Sequence, residues 1–331
     1  MSHALVLRET GGPEAQRWEE WPVPKPGPGE VRIRHSAVGL NFIDVYQRRG
    51  LYPLPVPLPA VIGQEAAGIV VEAGPGVSIP PKTRVGYAGA LGAYAEERIV
   101  AADRLVRLPD FLSDEQAAAV LLKGLTAEML LRRVRALKPG ETILFTAAAG
   151  GVGQIACRWA KALGAKVIGT VGSPAKAELA KAAGCDHVLI ADAAGLPQIP
   201  ARVREITAGK GVPVAYDSVA GDSLRASLDS LSPRGMLVVF GQSSGTVPKL
   251  DLGELANKGS LYVTRPTIRT YVTDPAELQA AAAALFDAIR AGHVRAEVRQ
   301  RYPLREAGRA QTDLEARRTT GSTILLVEER T

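Results

Sequence analysis

From residue 140 onward the chain repeats one short rhythm, and that rhythm limits the fold more than any other feature. Apolar, β-branched runs at Thr142–Ala147, Lys166–Val171, His187–Ile190, Val212–Asp217, Gly235–Phe240 and Ser260–Thr264 begin about 20 to 25 residues apart. That spacing leaves room for one crossover helix between successive strands, as parallel neighbours require. Gly151–Leu163 sets Ile155, Trp159 and Leu163 at i, i+4 and i+8, the stripe of an amphipathic helix. Six strands alternating with helices predict an α/β fold with a doubly wound parallel sheet, covered on both faces.

Before residue 124 the pattern differs. Short runs such as Val31–Val38, Gly68–Glu72 and Tyr94–Val100 are separated by the Pro/Gly clusters Pro22–Pro28, Tyr52–Pro59 and Pro75–Pro81. These read as an antiparallel, mostly-β domain, with Asn41–Arg49 as a short helix. Ser113 with Gln116 forms a capping box that starts a long helix between the domains. After the last sheet strand, a helix over Asp274–Gly292, another over Leu304–Arg317 and a strand over Gly321–Val327 are expected to return to the first domain. The expected division is 1–124, 125–265 and 266–331, and a length of 331 residues agrees with two domains.

Composition removes several function classes. Apolar residues at 46% and charged residues at 22% are an ordinary globular mixture, and no apolar run approaches the roughly 18 residues of a membrane span. Ala4–Leu7 is too short for a secretory signal, so a cytoplasmic protein is expected. Two cysteines, Cys157 and Cys185, form neither a disulfide framework nor a structural zinc site by themselves. The net charge of +6 raises nucleic acid as a partner. Aromatics are only 5%, however, and the basic residues are mixed with acids, as in Arg17–Glu20 and Arg202–Glu205. A mildly basic surface suited to an anionic cofactor fits better.

The segment Phe145–Gly153 follows a predicted strand and opens a predicted helix. Counted against G-x-G-x-x-G, its key positions are Ala148, Gly150 and Gly153. Gly150 would let the backbone approach a pyrophosphate, and Gly153 would let helix and strand pack closely. The N–H groups of Ala149, Gly150, Gly151 and Val152 would then face phosphate at the positive end of the helix dipole. An NAD site carries an acid at the end of the second strand. Here that strand ends Gly172–Ser173 without an acid, and Lys176 follows. A hydroxyl and a cation suit a 2′-phosphate, so NADP(H) is the expected dinucleotide.

Several segments together resemble one family: Asn41–Tyr46, Gly50–Pro53, Gly63–Gly68, Lys123–Thr126, Ala147–Gly153 and Leu261–Pro266. They are similar to the zeta-crystallin-like quinone oxidoreductases of the medium-chain dehydrogenase/reductase superfamily. The resemblance implies a GroES-like catalytic domain interrupted by a Rossmann domain, an active site in the cleft between them, NADPH as cofactor, a quinone as substrate and a homodimer. Zinc-dependent relatives place a Cys near position 41 and a His in a Gly-His-Glu motif, whereas this chain has Asn41 and Gln64. Amides are poor zinc ligands, and His3, His35, His187 and His293 show no ligand spacing, so a metal-free site is expected.

A quinone suits such a site, because its electron-poor ring stabilises the charge that hydride delivers. The resemblance implies that Tyr46 and Tyr52 line the substrate pocket, where a phenol could hydrogen-bond a quinone oxygen. It assigns Asn41, Phe42, Ile43 and Asp44 to the cofactor side, although Asn41 with Asp44 would equally cap a helix. Lys123, Thr126 and Met129 are implied as cofactor contacts in the interdomain segment. Gly241–Gln242–Ser243 and Pro266–Thr267–Ile268, after the fifth and sixth strands, are implied at the carboxyl edge of the sheet, and Arg318 reaches back to the cofactor. Reduction of α,β-unsaturated carbonyls with NADPH is the alternative, and a non-enzymatic RNA-binding or structural role a more distant one. The β-prone run Ser260–Thr264 is the expected dimer edge.

Overall fold

The alternation after residue 140 folds as a six-stranded parallel sheet, and the Pro/Gly-punctuated segments before it fold as antiparallel sheets. The computed structural model describes residues 2–328. In chain order the elements are β1 (Ser2–Leu7), β2 (Gln16–Trp21), β3 (Glu30–Gly39), α1 (Phe42–Arg48), β4 (Ala60–Val61), β5 (Glu65–Ala73), β6 (Arg84–Ala88), β7 (Glu97–Ala101), β8 (Val106–Arg107) and α2 (Asp114–Glu128). Then come β9 (Thr142–Phe145), α3 (Gly151–Ala162), β10 (Lys166–Val171), α4 (Ala177–Ala182), β11 (His187–Ile190), α5 (Ile199–Ile206), β12 (Val212–Asp217), α6 (Asp222–Asp229), β13 (Leu231–Val239), α7 (Leu252–Asn257), β14 (Tyr262–Thr264) and α8 (Ile268–Tyr271). The chain closes with α9 (Pro275–Arg290), β15 (Val298–Pro303), α10 (Ala307–Glu315) and β16 (Ser322–Leu326).

Two units cluster in space. The first holds everything described through Leu125, together with Val272–Phe286 and the chain from Ala296 onward; the second holds Thr126–Tyr271 and Asp287–Arg295. In the first unit a seven-stranded sheet runs β15-β16-β3-β5-β6-β8 with β7 also on β3, and a small sheet runs β2-β1-β4. β16 pairs antiparallel with β3, Leu325 opposite Val38, so the chain's last described strand is built into its early sheet. Leu7, Ile33, Val38, Val70, Val85 and Leu325 fill this unit's core, each almost wholly buried. The Ser113–Gln116 capping box is present at the start of α2, with the Ser113 N–H donating to Gln116 Oε1 at 3.0 Å and the Gln116 N–H to Ser113 Oγ at 3.2 Å.

In the second unit the strand order is β11-β10-β9-β12-β13-β14, parallel throughout. All six carboxyl ends therefore open on one edge, with Leu144, Ile168, Val212, Ala215 and Leu237 buried between sheet and helices. α2 continues as a turn of π-helix over Met129–Val134. The elements end where the backbone turns left-handed. Ala147 at φ 50° stops β9 short of its apolar run, and Ser260 at φ 58° holds β14 to three residues. Among the described residues, no helix is long and apolar enough to cross a membrane.

Candidate functional site

The turn between β9 and α3 is made by main chain. Ala147 takes a positive φ, and the Gly150 N–H closes onto the Ala147 carbonyl at 2.9 Å. Gly150 is the N-cap of α3, where no side chain caps the helix and no acid lies in the first turn. The first N–H groups of a twelve-residue helix thus keep their donor capacity and the positive end of its dipole. A Cβ at Gly153 would stand 2.3 Å from the Ala147 carbonyl oxygen and 2.8 Å from Ala148, so only glycine allows the helix this close. Ala148, in the place of the fingerprint's first glycine, is completely buried under the turn.

The residues expected from sequence after β10, β13 and β14 lie at the same carboxyl edge, whereas Thr126 and Met129 lie on α2 and its continuation. Past β10, Gly172 is exposed, Ser173 caps a short turn over Pro174–Lys176, and Lys176 is half-buried. Past β12, Asp217 is fully buried and accepts from the Val219 and Ala220 N–H groups (2.8 and 2.9 Å) and from Ser223 and Ser227 hydroxyls. This carboxylate fixes the loop on which Gly241–Ser243 rests, since the Ser243 N–H donates to the Ser218 carbonyl at 3.2 Å. Gln242 is buried, while Pro266 and Ile268 are half-buried and Thr267 exposed after β14. Thr126 is half-buried, and Met129 is core at 1% exposure. These residues would hold a dinucleotide: amides for pyrophosphate, a hydroxyl and a cation at the end of β10, and no acid there to repel a 2′-phosphate.

The first unit gathers a different kind of site, from side chains. Asn41 is the N-cap of α1, its N–H donating to Asp44 Oδ2 at 2.9 Å. The Tyr94 hydroxyl donates a hydrogen bond to the same oxygen at 3.0 Å. Asp44 is fully buried, with Oδ1 lacking a partner, and burial pushes its carboxyl up to about 7 against the pull of the Asn41 N–H, the Tyr94 hydroxyl and Lys123. Asp44 is thus an internal capping group of α1. Asn41 Nδ2 and Lys123 Nζ both donate to Glu65 Oε2, at 2.8 and 2.9 Å. Behind Tyr94, Gln311 links to Arg48, and Arg48 to Glu315.

Phe42 and Ile43 are half-buried, and Phe42 stacks on Tyr46 with ring centroids 6.0 Å apart. Tyr46 and Tyr52 are both half-buried, and the Tyr52 N–H donates to the Tyr46 carbonyl at 3.2 Å, which folds the chain after α1 back onto its last turn. Arg318 belongs to this unit, exposed, with its guanidinium donating to Asp313 at 2.8 Å. Sequence reasoning missed Glu65, Tyr94, Gln311 and Arg48. One signal was available: Lys123 sits alone in the apolar run Ala117–Leu125, where a lysine needs a buried carboxylate.

The chain matches two family models, "Alcohol dehydrogenase GroES-like domain" over residues 27–110 and "Zinc-binding dehydrogenase" over 151–287. It is 52% identical over 328 residues to a quinone oxidoreductase of Pseudomonas aeruginosa, covering 98% of this chain and 100% of that one. Among solved structures it resembles Pseudomonas syringae quinone oxidoreductase (TM-score 0.94, 48% identity, 98% and 100% covered). It also resembles Escherichia coli quinone oxidoreductase complexed with NADPH (TM-score 0.93, 48% identity, 98% and 99% covered). Zinc does not fit the residues present. Among the described residues no three His, Cys, Asp or Glu side chains gather to hold a metal, and the Asn41 amide turns its hydrogens to Glu65 and the Gly39 carbonyl. The first unit is a GroES-like sheet domain, the second a Rossmann sheet domain, and the chain belongs to the quinone oxidoreductases of the medium-chain dehydrogenase/reductase superfamily.

Proposed function

We propose that the protein reduces quinones with NADPH. Bound NADPH supplies the hydride. The α3 N-terminus, with Ala149, Gly150, Gly151 and Val152, holds the pyrophosphate through main-chain N–H groups, while Ser173 and Lys176 take the 2′-phosphate. Gly241, Gln242, Ser243, Pro266, Thr267 and Ile268 line the carboxyl edge of the sheet for the rest of the dinucleotide. Asn41 and Lys123 of the first unit serve the cofactor, with Phe42, Ile43 and Arg318 of the same unit and Thr126 and Met129 of the second as further members of the set, and Asp44 acting through the cap of α1. Tyr46 or Tyr52 gives a hydrogen bond, and then a proton, from its phenol to a quinone oxygen.

The observation that carries this reading is the end of β10, which offers Ser173 and Lys176 at the position where an NAD site needs an acid. The test is a steady-state panel of quinones and α,β-unsaturated carbonyls with each nicotinamide cofactor. Quinones are expected to be the better acceptors, and NADPH to exceed NADH by about tenfold or more in specificity constant. Equal use of the two cofactors contradicts the assignment of Ser173 and Lys176, and preferential turnover of enones contradicts the acceptor.

The same reading includes a cytoplasmic homodimer. Both cysteines are free and buried, which suits a reducing compartment. β14 is an end strand of its sheet with Tyr262 59% exposed, a surface that pairing with a second copy would cover. Light scattering at twice the chain mass is the expected result, and Tyr262→Lys is expected to shift it toward the monomer.

A further inference from the structure

Glu65 opens β5 and is completely buried, yet it is neither a packing residue nor a helix cap. Three donors converge on its carboxylate: the Leu122 N–H on Oε1 at 2.7 Å, and Asn41 Nδ2 and Lys123 Nζ on Oε2 at 2.8 and 2.9 Å. The seat is built for this group. A Cβ on Gly39 would lie 2.1 Å from Glu65 Oε2 and 2.4 Å from the Ala118 carbonyl, so the missing side chain at the end of β3 is what leaves room for the carboxylate. Lys123 is 5% exposed and uses one of its three N–H donors on Glu65.

A buried ion pair is a poor device for stability alone, because apolar residues of equal volume commonly do as well. Its geometry here is specific instead. The Leu122 N–H pins one oxygen, so the carboxylate cannot rotate, and the other oxygen then fixes an amide and an ammonium side by side. We infer that Glu65 is a positioning residue of the reduction site, holding the Asn41 amide and the Lys123 ammonium in one prealigned arrangement for the bound dinucleotide. The inference rests on the reading that Asn41 and Lys123 serve NADPH. A preset charged donor needs no reorganisation when the ligand arrives, which is where such a residue acts on both binding and rate.

Glu65→Gln tests it, because one amide cannot accept from Leu122 on one side and from Asn41 and Lys123 on the other. Titrated by NADPH fluorescence without quinone, this variant is expected to bind about ten- to a hundredfold more weakly, the loss of one charge-assisted hydrogen bond. Its kcat falls as well, while the KM for quinone stays within about twofold. Glu65→Asp keeps a negative charge opposite Lys123, which protects the fold, but withdraws it by one methylene from Leu122 and Asn41; the same weakening of NADPH binding is expected. Each variant is measured well below its own melting temperature, so that only folded protein is compared. Variants that melt lower but bind NADPH as the parent does would show Glu65 to be a folding residue and overturn the inference alone. A parent that binds no NADPH overturns the proposed function and this inference with it.

Discussion

The glycine turn of the second unit and the polar cluster of the first present their hydrogen-bonding groups in opposite ways. At the start of α3 the donors are main-chain N–H groups, the cap is glycine, and the first turn holds no acid. Around α1 the groups are side chains taken out of water: Asp44 and Arg48, joined through Tyr94 and Gln311, and Glu65 with Lys123, joined to Asp44 through Asn41. A main-chain site has no room for a Cβ at Gly153 but costs little desolvation. A side-chain site needs every buried charge matched, and each mismatch costs several kcal/mol. The first region should therefore be sensitive to volume and the second to charge.

The largest expected effect probes that claim at Arg48, only 1% exposed. Its guanidinium donates to the Gly11 carbonyl, to Gln311 Oε1 and to Glu315 Oε2 at 3.2, 2.6 and 2.7 Å. Arg48→Met keeps much of the stem but removes a donor from each of the three acceptors; Gln311 Oε1 keeps the Gln16 amide, and Glu315 remains partly solvated. A loss of about 3 kcal/mol is expected in urea denaturation. A loss under about 1 kcal/mol would mean that volume, not charge, governs this unit too.

Next in size is a pH effect, because two buried groups of the same unit titrate in opposite senses. Burial raises Asp44 to about 7, so its contribution to stability is complete below the unfolded value of 3.8 and is lost as pH rises through 7. Burial lowers His35 to about 4, with its ring held between the Ala95 carbonyl and the Tyr87 hydroxyl. Its contribution is complete above the unfolded value of 6.5 and is lost as pH falls to about 4. Between those values the two slopes oppose each other. In Asp44→Asn only the histidine slope remains, so stability relative to the parent should climb by about 1.4 kcal/mol per pH unit from pH 4 to 7. Urea midpoints that stay parallel across that range would place the carboxyl's titration elsewhere.

The same contrast explains what could be read from the sequence. The glycine turn is local: strand, turn and helix occupy one continuous stretch, and the spacing of Gly150 and Gly153 already states the geometry. Strand ends were less legible, because Ala147 and Ser260 adopt left-handed backbone without the glycine that marks it. β15 escaped because Val298–Pro303 carries Arg299 and Arg301 and reads as surface. The side-chain cluster was least legible, since Glu65 lies 24 residues from Asn41 and 58 from Lys123. No local pattern ties such positions together; only the pairing of β3 with β5 and the docking of α2 do.

If volume governs the glycine turn, Gly153→Ala should show it. The added methyl meets the Ala147 carbonyl oxygen at 2.3 Å, and backbone on both sides leaves it nowhere to turn. We expect a stability loss of about 1–3 kcal/mol and NADPH binding weakened by more than about tenfold, read from melting and fluorescence titration of one sample. An unchanged affinity beside lowered stability would separate helix packing from phosphate recognition.

The smallest effect expected is also the one place where the main-chain site should respond to charge. The pyrophosphate is the same in both nicotinamide dinucleotides, so the α3 N–H groups cannot tell them apart; under the proposed function, discrimination falls to the end of β10. Lys176, half-buried beside the Ser173 cap, has no volume constraint comparable to Gly153. Melting of Lys176→Glu is measured beside its kinetics, so that any change in stability is read separately from a change in cofactor choice. The exchange replaces an attractive charge by a repulsive one for the 2′-phosphate alone, so the ratio of NADPH to NADH specificity constants should fall by about tenfold or more, through NADPH. A fall shared equally by both cofactors would show that residue 176 senses the pyrophosphate instead, and the division between a neutral main-chain cradle and a charged selector would have to be redrawn.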